Sequence, residues 1–159
     1  MKIKIICLGK LKEKYLKDAI AEYSKRLSRF CTLEITELAD EKIPDNASEA
    51  QELKVLELES EKIKKYISDD DYVISLCVEG RQISSEALAG KISELTLFGK
   101  STLTFIIGGS LGLDESIKKR SDFRLSFSLM TFPHQLMRVI LAEQIYRAFK
   151  INANEKYHK

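Results

Sequence analysis

The sequence predicts an α/β protein with a mostly parallel sheet that is covered by helices on both faces. Several short runs are almost entirely apolar, which is typical of strands buried on both sides. Amphipathic helical patterns separate these runs, so strands and helices alternate along the chain. No internal repeat, low-complexity tract or linker interrupts the 159 residues, and we therefore expect one domain spanning residues 1–159.

Two strands and two helices are predicted in the N-terminal half. Residues 2–8 form a short apolar run, and the apolar residues from Leu11 to Phe30 have the spacing of one helix face. Residues 31–38 alternate between apolar and polar side chains, as in a half-exposed strand. A strongly charged helix is predicted from Ser48 to Ile67.

The C-terminal half continues the same alternation, with Ser84 as a predicted helix N-cap. The predicted elements are a strand at 72–78, a turn at 79–82, a helix from Ser84 to Ile92, a strand at 103–107, a short helix around 117–120 and a strand at 123–128.

The last predicted helix, from Pro133 to Lys150, is apolar around most of its circumference. Such a helix must be buried nearly all round. If the sheet covers it on one side only, a second copy of the chain is the simplest cover for the other side, and we expect a homodimer built on this helix. A helix that is simply central in a monomer is the alternative.

Charge is distributed unevenly, although the net charge is only +2. Residues 1–30 and residues 118–159 each contain nine basic and three acidic residues, whereas residues 40–71 contain five basic and eleven acidic residues. If the two basic ends meet in the fold, they would present a basic face suited to nucleic acid. Ordinary solvated helix faces are the alternative explanation.

The N-terminus and the cysteines indicate a cytoplasmic protein. The first ten residues are too short and too charged for a secretory signal or a membrane span. Cys7, Cys31 and Cys77 are isolated, which argues against disulfides and against a zinc site. Cys7 and Cys77 lie in apolar runs and are interpreted as core residues. No metal is expected.

Glycines and small residues follow the predicted strands. The Gly108–Gly112 segment lacks the spacing of a dinucleotide loop, but glycines at the end of a parallel strand allow a ligand to approach the backbone. The nearly uncharged segment Phe127–Gln135 suits an adenine ring and a methionyl chain better than a triphosphate. His134, at the predicted helix start, is either a base or a structural residue.

Several strings together resemble the RlmH family, the bacterial large-subunit ribosomal RNA pseudouridine methyltransferases of the SPOUT class. The similarity covers the whole chain. The strings are Lys10–Tyr15, Ile106–Gly112, Leu125–Gln135, Arg138-Val139, Glu143–Ala148 and Tyr157-His158.

This resemblance implies a C-terminal trefoil knot, with a cofactor-binding region at roughly residues 72–159. It implies S-adenosyl-L-methionine as the cofactor, a homodimer with the site at the subunit boundary, and methylation at N3 of a pseudouridine in 23S rRNA on the assembled ribosome. The cofactor residues that it implies are Leu76, Gly108, Phe127, Ser128, Leu129, Met130, Thr131 and Phe132.

The polar C-terminus supplies the remaining candidates. We expect Tyr157 and His158 to cover the site, with His158 or a water that it holds accepting the N3 proton. Arg147, Lys150 and Lys159 are candidate phosphate contacts. Two alternatives stay open: a related knotted methyltransferase that acts on another rRNA base or on tRNA, and a non-catalytic ribosome-binding factor.

Overall fold

The computed structural model describes all residues 1–159. Five strands and five helices alternate along the chain, as the apolar periodicity predicts. They are β1 (Lys2–Leu8), α1 (Lys14–Leu27), β2 (Thr32–Leu38), α2 (Glu49–Lys64), β3 (Tyr72–Gln82), α3 (Ser85–Leu97), β4 (Thr102–Ile107), α4 (Glu115–Arg120), β5 (Phe123–Ser126) and α5 (His134–Asn152).

The five strands form one sheet in the order β2-β1-β4-β3-β5, and every neighbouring pair is parallel. Helices pack on both faces. One apolar cluster joins the sheet to α1, α3 and α5, and a second cluster on the other face joins it to α2 and α4. The predicted fold class is therefore confirmed, while the threading of the C-terminal segment through a knot stays a prediction.

Alternation along the central strands separates the two cores. In β1, Ile3 and Ile5 face the cluster that contains α5, whereas Ile6 and Leu8 face the cluster that contains α2. All four side chains are at most 1% exposed. Burial on both faces explains why these runs are continuously apolar in the sequence.

The predicted turn at residues 79–82 is wrong, because β3 continues through it to Gln82. Beyond an irregularity after Leu76, Arg81 and Gln82 pair with β5. A Cβ atom on Gly80 would lie 2.8 Å from the carbonyl oxygen of Arg124. This glycine therefore permits close approach of two strands rather than a turn.

Helix α5 lies between α1 and α3, and all three cover the same face of the sheet. The sheet covers α5 on one side, as expected, and α1 and α3 cover its flanks, while the homodimer built on this helix stays a prediction. The first turns of α5 are fixed by Arg138, which is 1% exposed. This guanidinium donates to the carbonyl oxygens of Leu8 and Gly9 and pairs with Glu37 at 2.8 Å.

The two basic ends of the sequence meet in the fold, because α1 packs along α5. The Tyr23 ring lies 6.4 Å from the Tyr146 ring, and Phe30 stacks on Phe149 at 5.8 Å.

None of the helices combines the length and the apolar composition that a membrane-crossing helix requires.

Candidate functional site

An open cavity of about 250 Å³ lies at the carboxyl ends of β3, β4 and β5. Ligands of open parallel sheets bind at this edge, because the strands end there and the following loops leave backbone groups accessible. The walls are mostly apolar. They include Leu76, Ile107, Leu113, Leu125, Phe127 and Met137.

The structure brings most of the predicted cofactor residues together in this cavity. Those that line it are Leu76, Gly108, Phe127, Ser128, Met130, Thr131 and Phe132. Leu129 does not line it, since its side chain is 79% exposed on the outer surface of the loop. Met130 is also 72% exposed, although it reaches the cavity.

Two local arrangements shape the cavity floor and wall. A Cβ atom on Gly108 would overlap the carbonyl group of Gly112, so only glycine allows the tight turn after β4. In the loop after β5, the Ser126 hydroxyl donates to the carbonyl of Ser128, whose own hydroxyl accepts from the amide of Met130. These bonds hold the loop without any charged residue.

Few polar side chains reach the cavity. Lys118 and Glu79 form an ion pair on its rim.

Cys77 lines the cavity and is partly exposed, so its interpretation as a core residue is wrong. Cys7 is buried, as predicted. Burial raises the pKa of the Cys77 thiol, and the neighbouring Glu79 adds to that shift. The thiol is therefore a weak nucleophile at neutral pH.

His134 lies on the cavity wall at the first residue of α5. Burial and the neighbouring Arg138 lower the pKa of this imidazole, so it is neutral at neutral pH and able to accept a proton. Pro133 precedes His134 at the N-cap position of α5 and forms no side-chain hydrogen bond there.

The C-terminal tail is docked on α3 and α5 of the same chain, away from the cavity. The Tyr157 hydroxyl donates to Glu143 at 3.1 Å, and the His158 ring contacts Glu86 at 2.6 Å and Arg147 at 3.3 Å. Neither tail residue lines the cavity. Tyr157 and His158 therefore do not cover the cavity of their own chain.

Glu143 organises this part of the molecule. It pairs with Arg147 at 2.6 Å, and the Arg147 guanidinium lies 4.7 Å from the Tyr157 ring centre. Burial and the Glu143 carboxylate raise the pKa of Tyr157 to about 12. The phenol is thus a hydrogen-bond donor at neutral pH and not a base.

Of the predicted phosphate contacts, two are already engaged within the chain. Arg147 pairs with Glu143, and Lys150 pairs with Glu155. Lys159 is exposed at the terminus.

Nothing in the sequence indicated a role for Glu86, because its contact with His158 joins residues 72 positions apart. Glu143 precedes Arg147 by four residues, a spacing that predicts an ion pair on a helix and therefore an Arg147 that is already engaged.

Known proteins resemble this chain over its full length. Residues 1–158 match the family described as "Predicted SPOUT methyltransferase". The chain belongs to that family. The resemblance found from the sequence strings is confirmed.

Individual relatives are similar throughout. The Ribosomal RNA large subunit methyltransferase H of Bifidobacterium adolescentis is 63% identical over 159 residues, covering 100% of both chains. The protein of the same name from Streptococcus equi subsp. zooepidemicus is 56% identical with the same coverage. A solved structure of a probable methylase family protein from Haemophilus influenzae superposes with a TM-score of 0.54 over 99% of this chain and 70% of that chain, at 14% identity. That structure supports the fold alone.

Proposed function

We propose that this protein methylates N3 of a pseudouridine in 23S rRNA on the assembled ribosome, with S-adenosyl-L-methionine as the methyl donor. The observation that carries the proposal is the cavity at the strand ends. Three segments separated in sequence, around Leu76, Gly108 and Phe127–Phe132, meet there. The names of the full-length relatives support ribosomal RNA as the substrate class.

The cavity has the chemistry that the cofactor requires. Apolar walls from Leu76, Leu125 and Phe127 suit an adenine ring, and the carboxyl ends of the strands offer backbone hydrogen-bonding groups. At the rim, Lys118 and Glu79 offer one positive and one negative group to the zwitterionic amino-acid end. No cluster of metal-ligating side chains accompanies the cavity.

The cofactor supplies an activated methyl group on a sulfonium, so the protein has little covalent work to do. The chain must orient the target base in line with that methyl group and exclude water. It must also assist loss of the N3 proton, because protonated N3 is a poor nucleophile. Within one chain, the neutral His134 is the imidazole that lines the cavity and could accept this proton, whereas His158 lies outside the cavity.

We assign the site to two subunits of a homodimer. Large apolar side chains are exposed beside the cavity: Leu129 is 79%, Met130 is 72% and Leu136 is 37% exposed. Such a patch beside a pocket is typical of a protein interface. Because the Tyr157-His158 tail is docked outside its own cavity, it can act only in the cavity of another copy. Pairing of two such rims would bring the tail of one copy to the cavity of the other.

A mixed-dimer experiment tests this arrangement. One chain carries Gly108→Ala, which disrupts the cavity, and the other carries Tyr157→Phe with His158→Ala. Random mixing of equal amounts gives half heterodimers, each with one intact composite site, so methyl transfer should recover to about a quarter of the wild-type rate. No recovery above either parent would place the cavity and the tail of each working site in the same subunit.

The substrate is tested separately. Mass spectrometry of 23S rRNA from a strain without this protein should show one pseudouridine that has lost a methyl group, restored by the wild-type gene. A methyl group lost instead from tRNA or from another rRNA base would indicate a related knotted methyltransferase. Unchanged RNA, together with no heat of S-adenosyl-L-methionine binding, would indicate a non-catalytic ribosome-binding factor.

A further inference from the structure

The outer face of α1 carries exposed cations, most of which form no ion pair within the chain. Lys14, Lys17 and Lys25 share one face of the helix by their spacing, and all three are exposed. Together with the loop before the helix they form a strip, called here the α1 strip. It consists of Lys10, Lys12, Lys14, Tyr15, Lys17 and Lys25.

Helix stability does not explain these residues. Lys14 and Lys17 lie in the first turn of α1, where the helix dipole disfavours positive charge, and that turn contains no acidic residue. Helix α2 shows the opposite and favourable pattern, with Glu49 and Glu52 in its first turn and basic residues in its last. The lysines at the start of α1 therefore point to an anionic partner.

Most of the strip is free of internal ion pairs. Lys14 pairs with Asp18, but no carboxylate oxygen lies within 4.0 Å of the ammonium groups of Lys10, Lys12, Lys17 or Lys25. By contrast, Arg147 and Lys150 on α5 are both paired. Unpaired and solvated lysines can neutralise phosphates without first breaking a contact in the protein.

The strip begins beside the cavity. The amide of Lys12 donates to the side chain of Gln135 at 3.1 Å, and Gln135 adjoins His134 on the cavity wall. From there Lys14 to Lys25 extends about 16 Å along the helix. An anionic chain whose target nucleotide enters the cavity would have its neighbouring phosphates along this path.

One exposed aromatic ring flanks the lysines. Tyr15 follows Lys14 in the sequence, is 67% exposed, and lies about 100° round the helix from it, on the flank of the strip near the cavity end. An exposed tyrosine among lysines suits stacking on an unpaired base. Farther along α1, Arg26 pairs with Glu22 at 2.8 Å and lies 5.6 Å from the Tyr23 ring centre, so it is engaged within the chain and does not belong to the strip.

We propose that the α1 strip binds the RNA strand that flanks the target nucleotide, with lysines on its phosphates and Tyr15 stacked on a base. The inference rests on the proposed function, because it takes RNA as the substrate. It adds a surface on α1 that holds the RNA outside the cavity. Loss of this surface should weaken ribosome binding without altering cofactor binding or the chemical step.

The test compares two triple variants with equal charge loss. In the strip variant Lys12, Lys17 and Lys25 become Gln, and in the control variant the exposed Lys54, Lys64 and Lys65 at α2 become Gln. Glutamine has a helix propensity close to that of lysine. With intact ribosomes that lack the methyl group as substrate, the strip variant should raise KM at least about tenfold at unchanged kcat. The control variant should keep wild-type kinetics.

Salt dependence and the tyrosine sharpen the result. Three lost phosphate contacts should reduce the slope of log KM against log salt by about 2. Tyr15→Ala should raise KM about tenfold, and Tyr15→Phe should retain the wild-type value. Calorimetric titration with S-adenosyl-L-methionine should give the same affinity for all variants.

The proposal would be overturned by an unchanged KM for the strip variant, or by an equal rise in KM for the control variant. Failure of the proposed function is a different result, in which the wild-type protein transfers no methyl group to any ribosome. In that case cosedimentation with ribosomes decides the matter for the strip. Binding that is lost in the strip variant and kept in the control supports it, and equal binding by both refutes it.

Discussion

The segment after β5 and the C-terminal tail differ in what holds them, although both were predicted to belong to one site. Phe127–Phe132 follows directly from the edge strand β5 and is held by the hydroxyls of Ser126 and Ser128, so it contributes to the cavity of its own chain. Tyr157 and His158 are held by Glu143 and Glu86 on two helices, away from that cavity.

This difference separates binding from catalysis. The cavity wall is formed within a single chain, whereas the tail is docked outside that cavity and, in the arrangement proposed above, acts in the cavity of a second copy. We therefore expect changes in the wall to affect cofactor affinity, and changes in the tail to affect turnover. Four variants test this division.

The largest effect is expected for Gly108→Ala. The added methyl group overlaps the carbonyl of Gly112, so the turn after β4 must move and the cavity floor with it. Cofactor affinity, measured by calorimetry, should fall by more than about a hundredfold, equivalent to roughly 3 kcal/mol. Gly90→Ala is the matched control, because a Cβ atom there meets nothing within 4 Å on α3. Equal affinities in the two variants would contradict the assigned cavity.

The tail variant Tyr157→Phe with His158→Ala should lower kcat on ribosomes by about a hundredfold, the contribution of one assisting proton transfer. Cofactor affinity should stay close to the wild-type value, because these substitutions leave the three segments that line the cavity unchanged. Unchanged turnover would remove the tail from the reaction, and a loss of cofactor affinity as large as that of Gly108→Ala would make the tail a cofactor-binding element.

Arg138→Met tests the element that joins both regions, since α5 begins at the cavity and ends at the tail. Loss of the guanidinium leaves the carbonyl oxygens of Leu8 and Gly9 unpaired in a buried position. The free energy of unfolding in urea should fall by about 2 kcal/mol. Wild-type stability would mean that α5 is held by its apolar face alone.

The smallest effect is expected for Glu86→Gln. Backbone and Ser84 hydrogen bonds, together with His158, lower the pKa of Glu86 to about 2, so it is fully ionised at neutral pH. The contact with His158 is exposed, and kcat should change by no more than about threefold. A loss as large as that of the tail variant would show that the tail works from its docked position.

Much of the fold was predictable because each element carries its own periodicity. The apolar run of β4 and the capping residue Ser84 of α3 appear directly in the sequence. The extension of β3 to Gln82 was not predictable, because it depends on Gly80 lying against Arg124 of β5, a contact between distant positions. For the same reason, the partial exposure of Cys77 at the cavity could not be inferred from the apolar run that contains it.

Local patterns and characteristic strings in the sequence specify the α/β class, the family, and the three segments that meet at the cavity. The folded chain was needed to show that α1 and α3 flank α5, that His134 lines the cavity, and that Tyr157 and His158 lie away from it. These positions follow from packing and from ion pairs between residues far apart in the chain. Local periodicity contains no information about such pairings.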